Sequence, residues 1–360
     1  MGESRPGTGV REIGVIKGDG IGPELVDAAM AVMEAALAGQ ELSLRFVEID
    51  AGAGTWRRTG AAIGPEGIDT VRRAAATLKG PVGLPGVTTP EGTEAGLLGG
   101  VLREGLDLFV NFRPIALLDG VESCLRLNGR TIDYAIVREN TEGLYASRGK
   151  GVGNRWAVAD TLIATRAGTE RVVRWAFDLA RRRMAARGTQ ARVTCVDKAN
   201  VLRSSALFRE VYLEAAATYP DLEVECMYVD AAAQALVVSP EHFDVIVTEN
   251  LMGDILSDLG GGTVGGVAMC PSGNLGTDCA YFEPIHGSAP ALAGRAMANP
   301  TGEILAAAML LEYVGAPVTA EHIRAAMGRA LASGAVRLER DGTARGGPGA
   351  VSRAVIEELG

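Results

Sequence analysis

The stretch EIGVIKGDGIGPELVDAAMAVMEAAL (residues 12–37) decides the fold. Its first five residues suit a buried strand, and its last fifteen repeat apolar side chains at helical spacing. Between them lies KGDGIGPE (17–24), whose glycines allow a tight turn and whose Pro23 suits the first turn of a helix. A strand, a glycine turn and a helix in this order are typical of an α/β protein.

Outward from this unit, short β-rich runs keep alternating with helix-length amphipathic segments. The series continues with LSLRFVEID (42–50), GIDTVRRAAATL (67–78), LDLFVNFRP (106–114), TIDYAIVREN (131–140) and TRAGTERVVRWAFDLARRRM (165–184). This rhythm predicts parallel strands joined by crossover helices, with 67–78 as one of the helices, and hence a doubly wound α/β fold. The segment GGGTVGGVAMCPSGNLGTD (260–278) has seven glycines and no helical period, which predicts a long loop.

Composition narrows the class of protein. A chain of 360 residues, 47% of them apolar, can bury a large core, which predicts two domains or one large α/β unit. The net charge of −9 provides no basic stripe for nucleic acid, so an anionic ligand needs a local cluster of arginines. We therefore expect no nucleic-acid partner.

Targeting signals and membrane spans are not apparent in the sequence. The N-terminus, MGESRPGTGVRE (1–12), lacks a secretory pattern, and the longest apolar run, ILAAAMLL (304–311), is far shorter than the roughly 20 residues that span a bilayer. The five cysteines are odd in number and scattered, which disfavours a disulfide framework or a thiolate zinc site. We expect a soluble, cytoplasmic protein with no membrane partner.

Two carboxylates stand four residues apart in NLMGDILSDLGGG (250–262), which is predicted to begin a helix. This spacing places Asp254 and Asp258 on one helix face. Their oxygens suit magnesium or manganese, the hard cations. The alternative is that they only offset the helix dipole near its start.

Three arginines occupy predicted strand or helix ends, namely Arg103, Arg113 and Arg138. A guanidinium group matches a carboxylate with two hydrogen bonds at once. Each one taken alone is better explained as a surface salt bridge. Together they would form an anion site if folding brings them to one pocket.

Other candidates lie just beyond predicted strands, where α/β folds place ligands. Tyr145 in VRENTEGLY could donate a proton, and Lys198, with Asn200 nearby in VDKANVL, could accept one. The alternatives are a core tyrosine and a solvated lysine. His286 lies in the turn of YFEPIHGSAP, and Asn299 is near the start of a helix beside the glycine-rich segment, a natural phosphate site.

The motifs, taken in order, resemble the isocitrate and 3-isopropylmalate dehydrogenase family of β-decarboxylating hydroxyacid dehydrogenases. The resemblance runs from about residue 12 to about residue 315. The motifs that carry it are GDGIGPE, LDLFVNFRP, VRENTEGLY, VDKANVL, NLMGDILSDL, FEPIHGSAPALAG and ANPTGEIL.

The resemblance implies a two-domain α/β fold with a shared mixed sheet and a homodimer formed through the smaller domain. The large cofactor-binding domain would comprise residues 1–111 and 266–360, and the small central domain residues 112–265. The active site would lie in the cleft and be completed by the neighbouring subunit.

The family's roles map onto individual residues of this chain. Asp254 and Asp258 would bind magnesium or manganese together with Asp230 of the partner subunit. Tyr145 and Lys198 would be catalytic, with Lys198 of the partner subunit removing the hydroxyl proton through water and Tyr145 protonating the enol. The implied substrate-binding residues are Arg103, Arg113, Arg138, Leu97 and Asn200.

The cofactor is expected to be NAD or NADP. The implied cofactor-binding residues are His286, Gly287, Ser288, Ala289, Pro290 and Asn299. NAD-using relatives have an acidic residue after HGSAP, where this chain has Ala291. Arg295, Arg337 and Arg340 could instead meet the 2′-phosphate of NADP.

The second open point is which substituent the substrate, a substituted malate, carries. GLLGGV (96–101) lacks the serine and asparagine that isocitrate-specific relatives use. Its leucines resemble the apolar pocket of isopropylmalate dehydrogenases. In contrast, VRENTEG resembles the isocitrate, homoisocitrate and tartrate branches of the family. We expect oxidative decarboxylation of isocitrate, homoisocitrate, isopropylmalate or another substituted malate to a 2-oxo acid and carbon dioxide. The alternative is a non-catalytic regulatory subunit.

Overall fold

The computed structural model describes residues 9–90 and 92–360. Most of the N-terminal segment on which the absence of a secretory signal was predicted, residues 1–8, lies outside the described residues. The strands are β1 (Gly9–Ile16), β2 (Leu42–Glu48), β3 (Ala76–Lys79), β4 (Val110–Ala116), β5 (Asp133–Glu139), β6 (Val152–Asn154), β7 (Ala157–Ala159), β8 (Arg192–Asp197), β9 (Glu223–Tyr228), β10 (Val245–Thr248), β11 (Pro271–Leu275) and β12 (Ala280–Pro284).

The described residues contain ten α-helices, and several of them pack against strands of the sheet. They are α1 (Gly22–Ala36), α2 (Ala53–Thr59), α3 (Pro65–Arg73), α4 (Arg166–Arg187), α5 (Arg203–Ala216), α6 (Val229–Val238), α7 (Asn250–Thr263), α8 (Thr301–Tyr313), α9 (Pro317–Ala332) and α10 (Gly347–Leu359). A six-residue π-helix spans Gly99–Glu104, and a short 3-10 helix spans Leu144–Ser147.

One ten-stranded mixed sheet runs through the described part of the chain, in the order β2-β1-β3-β12-β11-β4-β5-β10-β8-β9. The outer strands pair in parallel, as the alternation of strands and helices predicts. At the centre, however, β11 pairs antiparallel with both β12 and β4, and β4 pairs antiparallel with β5. The α/β fold class with a mixed sheet is confirmed, and the parallel pairing that the rhythm of strands and helices predicts does not hold at this centre.

The glycine-rich segment 260–278 is not a long loop, and that prediction is wrong. Its first glycines continue α7 to Thr263, and β11 begins at Pro271. A Cβ on Gly260 would lie 2.4 Å from the Tyr134 hydroxyl oxygen, and one on Gly273 would lie 3.0 Å from the Phe282 ring. Glycines therefore allow close packing at the helix end and in the buried strand, while Gly265 and Gly266, with φ of 98° and 108°, form the short turn between them.

Segment 67–78, predicted as one helix, is divided between two elements. The helix α3 ends at Arg73, and Ala74 has extended backbone with ψ of 150°. After two bend residues, the last three residues of the segment, 76–78, belong to β3, which is buried between β1 and β12. The end of the apolar run AATL, residues 76–78, therefore belongs to a fully buried strand, which periodicity alone does not distinguish from a buried helix.

The largest apolar cluster continues across the sheet. The helix α8 is buried from Thr301 to Leu311 and packs on β3, β11 and β12. The predicted domain boundary at 111/112 lies within β4, which pairs with β11, so the sheet is continuous across it. The division into two domains stays a prediction.

No helix in the described ranges combines the length and apolar character needed to cross a bilayer.

Candidate active site

The central antiparallel strands place polar side chains side by side on one face of the sheet. Asn111 of β4 lies opposite Arg138 of β5 and opposite Asn274 of β11. Arg113 follows two residues after Asn111 and therefore faces the same side of the sheet. Strand register brings two of the three predicted arginines to one place.

The helix α7 covers this face and presents its acidic pair to the arginines. Gly253 permits the close approach, since a Cβ there would lie 2.7 Å from Cγ of Arg138. Arg138 forms an ion pair with Asp254, and Arg113 Nη2 lies 3.3 Å from Asp254 Oδ1. Arg113 Nη1 also lies 3.6 Å from Asp258 Oδ1. The acidic pair thus faces a cationic cluster.

Neutral side chains hold the two buried guanidinium groups in place. Arg138 donates from Nε and Nη2 to Asn250 Oδ1 at 3.0 and 2.6 Å. Arg113 donates to Ser257 Oγ and to Asn111 Oδ1, both at 2.6 Å. Their side chains are only 1% and 4% exposed, so the surface salt-bridge alternative is wrong for both.

Arg103 joins this cluster from the π-helix that spans Gly99–Glu104. Its Nε donates to the Tyr281 hydroxyl and its Nη2 to Glu283 Oε1, both at 3.0 Å. Glu283 also pairs with buried Lys79. Burial opposes ionisation of Glu283, but Lys79 and Arg103 outweigh it and lower the pKa of its carboxyl. Arg103 is thereby anchored rather than free on the surface.

Tyr145 reaches the same centre from the 3-10 helix Leu144–Ser147. Its hydroxyl donates to Asp254 Oδ2 at 2.8 Å, and the Arg138 guanidinium carbon lies 5.4 Å from the ring centre. Burial and the Asp254 carboxylate raise the pKa of Tyr145, so the phenol keeps its proton near neutral pH. The geometry suits a proton donor.

The acidic pair fits one half of a divalent-cation site. Burial raises the pKa of Asp258, whereas for Asp254 the arginines outweigh burial and lower it. The two side chains are 36% and 56% exposed, so a ligand can reach both carboxylates, although both oxygens of Asp254 already have partners within the chain. No cluster of three or more acidic, histidine or cysteine side chains gathers within residues 9–90 and 92–360. A complete cation site therefore needs a further ligand.

Within one chain, Lys198 and Asp230 pair with each other rather than with the residues of this centre. Lys198 Nζ donates to Asp230 Oδ1 at 2.5 Å, across the ends of β8 and β9. Among the described residues, no hydrogen bond or ion pair joins either of them to Asp254. Asn200 is exposed, and its predicted role has no further geometric support.

Three loops meet where the cofactor residues were predicted. Ser288 donates its hydroxyl to the Gly83 carbonyl, and its own carbonyl accepts from Ile21 N at 2.9 Å. A Cβ on Gly20 would lie 2.1 Å from the Ser288 carbonyl oxygen. The glycines of KGDGIGPE therefore permit both the predicted tight turn and the close packing of these loops.

His286 is the residue of this loop with an unsatisfied polar atom. Its Nδ1 donates to the Gly287 carbonyl at 2.9 Å, while its Nε2 is buried without a partner. Burial lowers the pKa of the ring, so the imidazole is neutral and Nε2 can accept a hydrogen bond. An adenine amino group has the matching donor. Gly287, Ala289 and Pro290 are exposed beside it.

Asn299 is engaged within the protein. Its Oδ1 accepts from the backbone and hydroxyl of Thr301 at the start of α8, and its Nδ2 donates to the Gly342 carbonyl at 3.3 Å. Gly342 lines a cavity of about 930 Å³ together with Arg337 and Arg340. Arg295 is exposed and is not among the residues lining this cavity.

Sequence reasoning overlooked the polar residues that orient the arginines. Asn274 accepts from Asn111 at 2.7 Å and from Asn140 at 3.0 Å, and it donates to Glu283 Oε1 at 3.0 Å. The available signal was Asn111 within the apolar run LDLFVNFRP, whereas Asn274 lay in the segment predicted as a loop. Asp19 was also missed, although its carboxylate accepts from the backbone of Ala53, Gly54 and Gly83.

The leucines predicted to shape the substrate pocket face different surroundings. Leu98 is 1% exposed and packs in an apolar cluster with Leu102 and Tyr281. Leu97 is only half-buried, so it remains available to a ligand. One leucine is therefore structural, and the apolar wall is smaller than the sequence indicates.

Comparison with known proteins agrees with this geometry. The family model for isocitrate/isopropylmalate dehydrogenases matches residues 12–342. A 3-isopropylmalate/3-methylmalate dehydrogenase of Methanocaldococcus jannaschii is 41% identical over 326 residues, 90% of this chain and 92% of that protein. A 3-isopropylmalate dehydrogenase of Corynebacterium efficiens is 42% identical over 328 residues, 89% of this chain and 93% of the relative.

The fold is similar to that of an isocitrate dehydrogenase from Methylococcus capsulatus, with a TM-score of 0.86 and 37% sequence identity over 97% of this chain and 99% of that one. The chain belongs to the isocitrate/isopropylmalate dehydrogenase family. It is therefore an oxidoreductase, a nicotinamide-dependent β-decarboxylating dehydrogenase that acts on small hydroxy acids. The predicted family and reaction class are confirmed.

Proposed function

We propose that this enzyme oxidises the hydroxyl of a 3-carboxy-2-hydroxy acid and releases the 3-carboxyl group as carbon dioxide, using magnesium or manganese. The convergence of Arg113, Arg138 and Tyr145 on Asp254 carries this proposal. Buried guanidinium groups are costly unless anions face them. Substrate carboxylates would supply those anions.

Asp254 and Asp258 would hold the cation together with Asp230 of the partner subunit. Their hard carboxylate oxygens suit magnesium and manganese. When bound, the cation supplies Lewis-acid stabilisation of the substrate oxygens, and the nicotinamide supplies the hydride acceptor.

The chain's own side chains would bind the substrate and move its protons. Arg103, Arg113 and Arg138 would hold the carboxylates with charge-assisted hydrogen bonds. Lys198 of the partner subunit would take the proton of the substrate hydroxyl, and Tyr145 would return a proton to the enol after decarboxylation. Leu97, and Asn200 beyond β8, would contact the remainder of the substrate.

The separation of Lys198 and Asp230 from Asp254 supports a homodimer with shared sites. Two symmetric copies would each lend this ion pair to the other's cleft. We propose that residues 112–265 form the smaller domain and make this interface. We also propose a cytoplasmic location, since all five cysteines are free thiols.

The nicotinamide cofactor would bind along the loop from His286 to Pro290 and beside Asn299. Ala291 lacks the carboxylate that holds a ribose hydroxyl in NAD-using relatives. Arg337 and Arg340 line the adjoining cavity and offer positive charge to a 2′-phosphate. These observations favour NADP over NAD.

A turnover panel tests the proposed function. Isocitrate, homoisocitrate, isopropylmalate, malate, tartrate and a phosphonate-bearing malate would each be assayed with NAD and NADP. We expect metal-dependent turnover of a substituted malate, a lower KM for NADP, and a higher metal requirement in Asp254→Asn. No turnover of any substrate would favour the regulatory-subunit alternative, and an unchanged metal dependence in Asp254→Asn would contradict the assigned site.

A further inference from the structure

A fourth arginine stands at the edge of the candidate active site. Arg148 directly follows the 3-10 helix that carries Tyr145, and its backbone N–H donates to the Tyr145 carbonyl at 3.0 Å. Its guanidinium carbon lies 5.5 Å from the centre of the Tyr145 ring. The side chain is exposed, and it has no hydrogen bond or ion pair among the described residues. Its charge is available to a ligand.

The space that Arg148 occupies exists because of two glycines. A Cβ on Gly99 would lie 2.9 Å from Nη1 of Arg148, and a Cβ on Gly100 would lie 3.5 Å from the same atom. Both glycines belong to the π-helix that also carries Arg103. Arg148 is therefore placed between this helix and Tyr145, two elements that bear proposed substrate-binding and catalytic residues.

The surroundings of Arg148 differ from those of the other arginines. Arg103, Arg113 and Arg138 each face an acidic side chain, whereas Arg148 faces glycine backbone and an aromatic ring. In a protein of net charge −9, an arginine at the proposed substrate cleft that has no ion pair among residues 9–90 and 92–360 provides local positive charge that attracts an anion. The neighbouring Leu98, which could have formed an apolar wall, is buried in the core.

We infer that Arg148 is a specificity-determining residue that binds an anionic third substituent of the substrate, a carboxylate or a phosphonate. This inference rests on the proposed function, in which Arg103, Arg113 and Arg138 hold the carboxylates common to all substituted malates. An apolar substituent such as isopropyl leaves the Arg148 charge without a partner. The enzyme then differs in substrate class from the isopropylmalate dehydrogenases to which its sequence is similar.

Arg148→Met, which removes the charge and keeps an unbranched chain, tests the inference. The readout is the ratio of kcat/KM for each anionic substrate, namely isocitrate, homoisocitrate and a phosphonomethyl malate, to kcat/KM for isopropylmalate. We expect this ratio to fall about ten- to hundredfold, mainly through KM, because a charge-assisted hydrogen bond to the substituent is lost. Comparing the carboxylate substrates with the phosphonate distinguishes the two anionic groups.

Matched variants separate specificity from general damage. Arg155→Met removes an exposed arginine that stacks on Trp156 in the neighbouring hairpin, and it should leave the ratio unchanged. Gly99→Ala should displace the flexible end of Arg148 and lower the ratio, whereas Gly100→Ala, with an ordinary 3.5 Å contact, should change it less. Arg148→Lys should retain part of the preference.

Calorimetric binding of the same compounds with Mn²⁺ and without cofactor keeps the inference testable if turnover fails. Tighter binding of an anionic substrate than of isopropylmalate, lost in Arg148→Met, supports it. A preference for isopropylmalate, or an equal loss for every substrate in Arg148→Met, overturns it even if the enzyme is an active dehydrogenase. If no substrate were turned over but an anionic substrate still bound more tightly than isopropylmalate, and this preference were lost in Arg148→Met, only the proposed function would be overturned.

Discussion

Glu303 is a carboxylic acid enclosed in the protein core. It lies in α8 with 0% exposure, and neither carboxyl oxygen has a hydrogen-bond partner among the described residues. Burial raises the pKa of this carboxyl well above its ordinary value of 4.5, with nearby Lys79 opposing the shift and Glu283 adding to it. The native state therefore holds Glu303 in its protonated form, while the unfolded chain ionises it at neutral pH.

This difference predicts a pH-dependent loss of stability. A raised native pKa leaves stability intact below about pH 4.5 and lowers it as pH rises toward the native pKa, by about 1.4 kcal/mol per pH unit. Glu303→Gln cannot ionise, so its free energy of unfolding should exceed that of the unmodified protein by an amount that grows with pH. Urea denaturation from pH 4 to pH 8 measures this.

The control for this prediction is Glu357→Gln, which changes an exposed glutamate of α10. It should shift the stability curve little at any pH. If the free energy of unfolding of Glu303→Gln changed with pH in parallel with that of the unmodified protein, Glu303 would not be a neutral acid in the native state.

At the scale of one element, the last turn of α7 contains glycines in two different environments, one packed closely against the sheet and one open. Gly260 faces the buried hydroxyl of Tyr134, 2.4 Å from where a Cβ would be, whereas nothing lies within 4 Å of a Cβ on Gly262. Both glycines belong to the last turn of the helix that carries the acidic pair. Substituting alanine at each site therefore distinguishes the destabilisation caused by overpacking from the stabilisation caused by higher helix propensity.

Gly260→Ala should destabilise the protein by about 1–3 kcal/mol, because the added methyl group overpacks the contact between α7 and β5. Gly262→Ala should be neutral or stabilise by up to about 1 kcal/mol, since alanine favours the helix where space is open. Thermal and urea unfolding of the two variants provides the comparison. Equal stability of both would contradict the close packing at Gly260.

At the scale of the whole molecule, the proposed shared site predicts complementation between inactive subunits. Lys198→Met should fold normally, since its partner Asp230 is 70% exposed, yet it should lose turnover. Asp254→Asn should lose most activity at ordinary metal concentration. When the two variants are unfolded together and refolded as a mixture, heterodimers should regain one intact site each, giving about a quarter of the normal activity for random pairing.

Each variant refolded alone is the control for this mixing experiment. Recovery of activity only in the mixture requires Lys198 and Asp254 to act from different subunits. A mixture as inactive as its components, in which mass spectrometry detects the heterodimer, would contradict the shared site.

Local sequence patterns predicted much of this fold. The alternation of strands and helices, and the placement of Asp254 and Asp258 on one helix face, follow from periodicities of two and 3.6 residues that act over a few neighbours. The ordered motifs also identified the family. The helix end and the strand within segment 260–278 were not predicted, because a glycine is compatible with either a turn or a close contact. Only the residue that faces the glycine, such as Tyr134, distinguishes the two.

The sequence by itself thus determined the α/β class, the family and the residue types of the candidate site. The tertiary structure decided that Arg103, Arg113 and Arg138, which belong to separate elements, meet at Asp254 and Glu283. It also placed Arg148 against Gly99. The reason is physical: a helix face is set by local backbone geometry, whereas the meeting of distant side chains depends on strand order, register and the close packing of the entire chain.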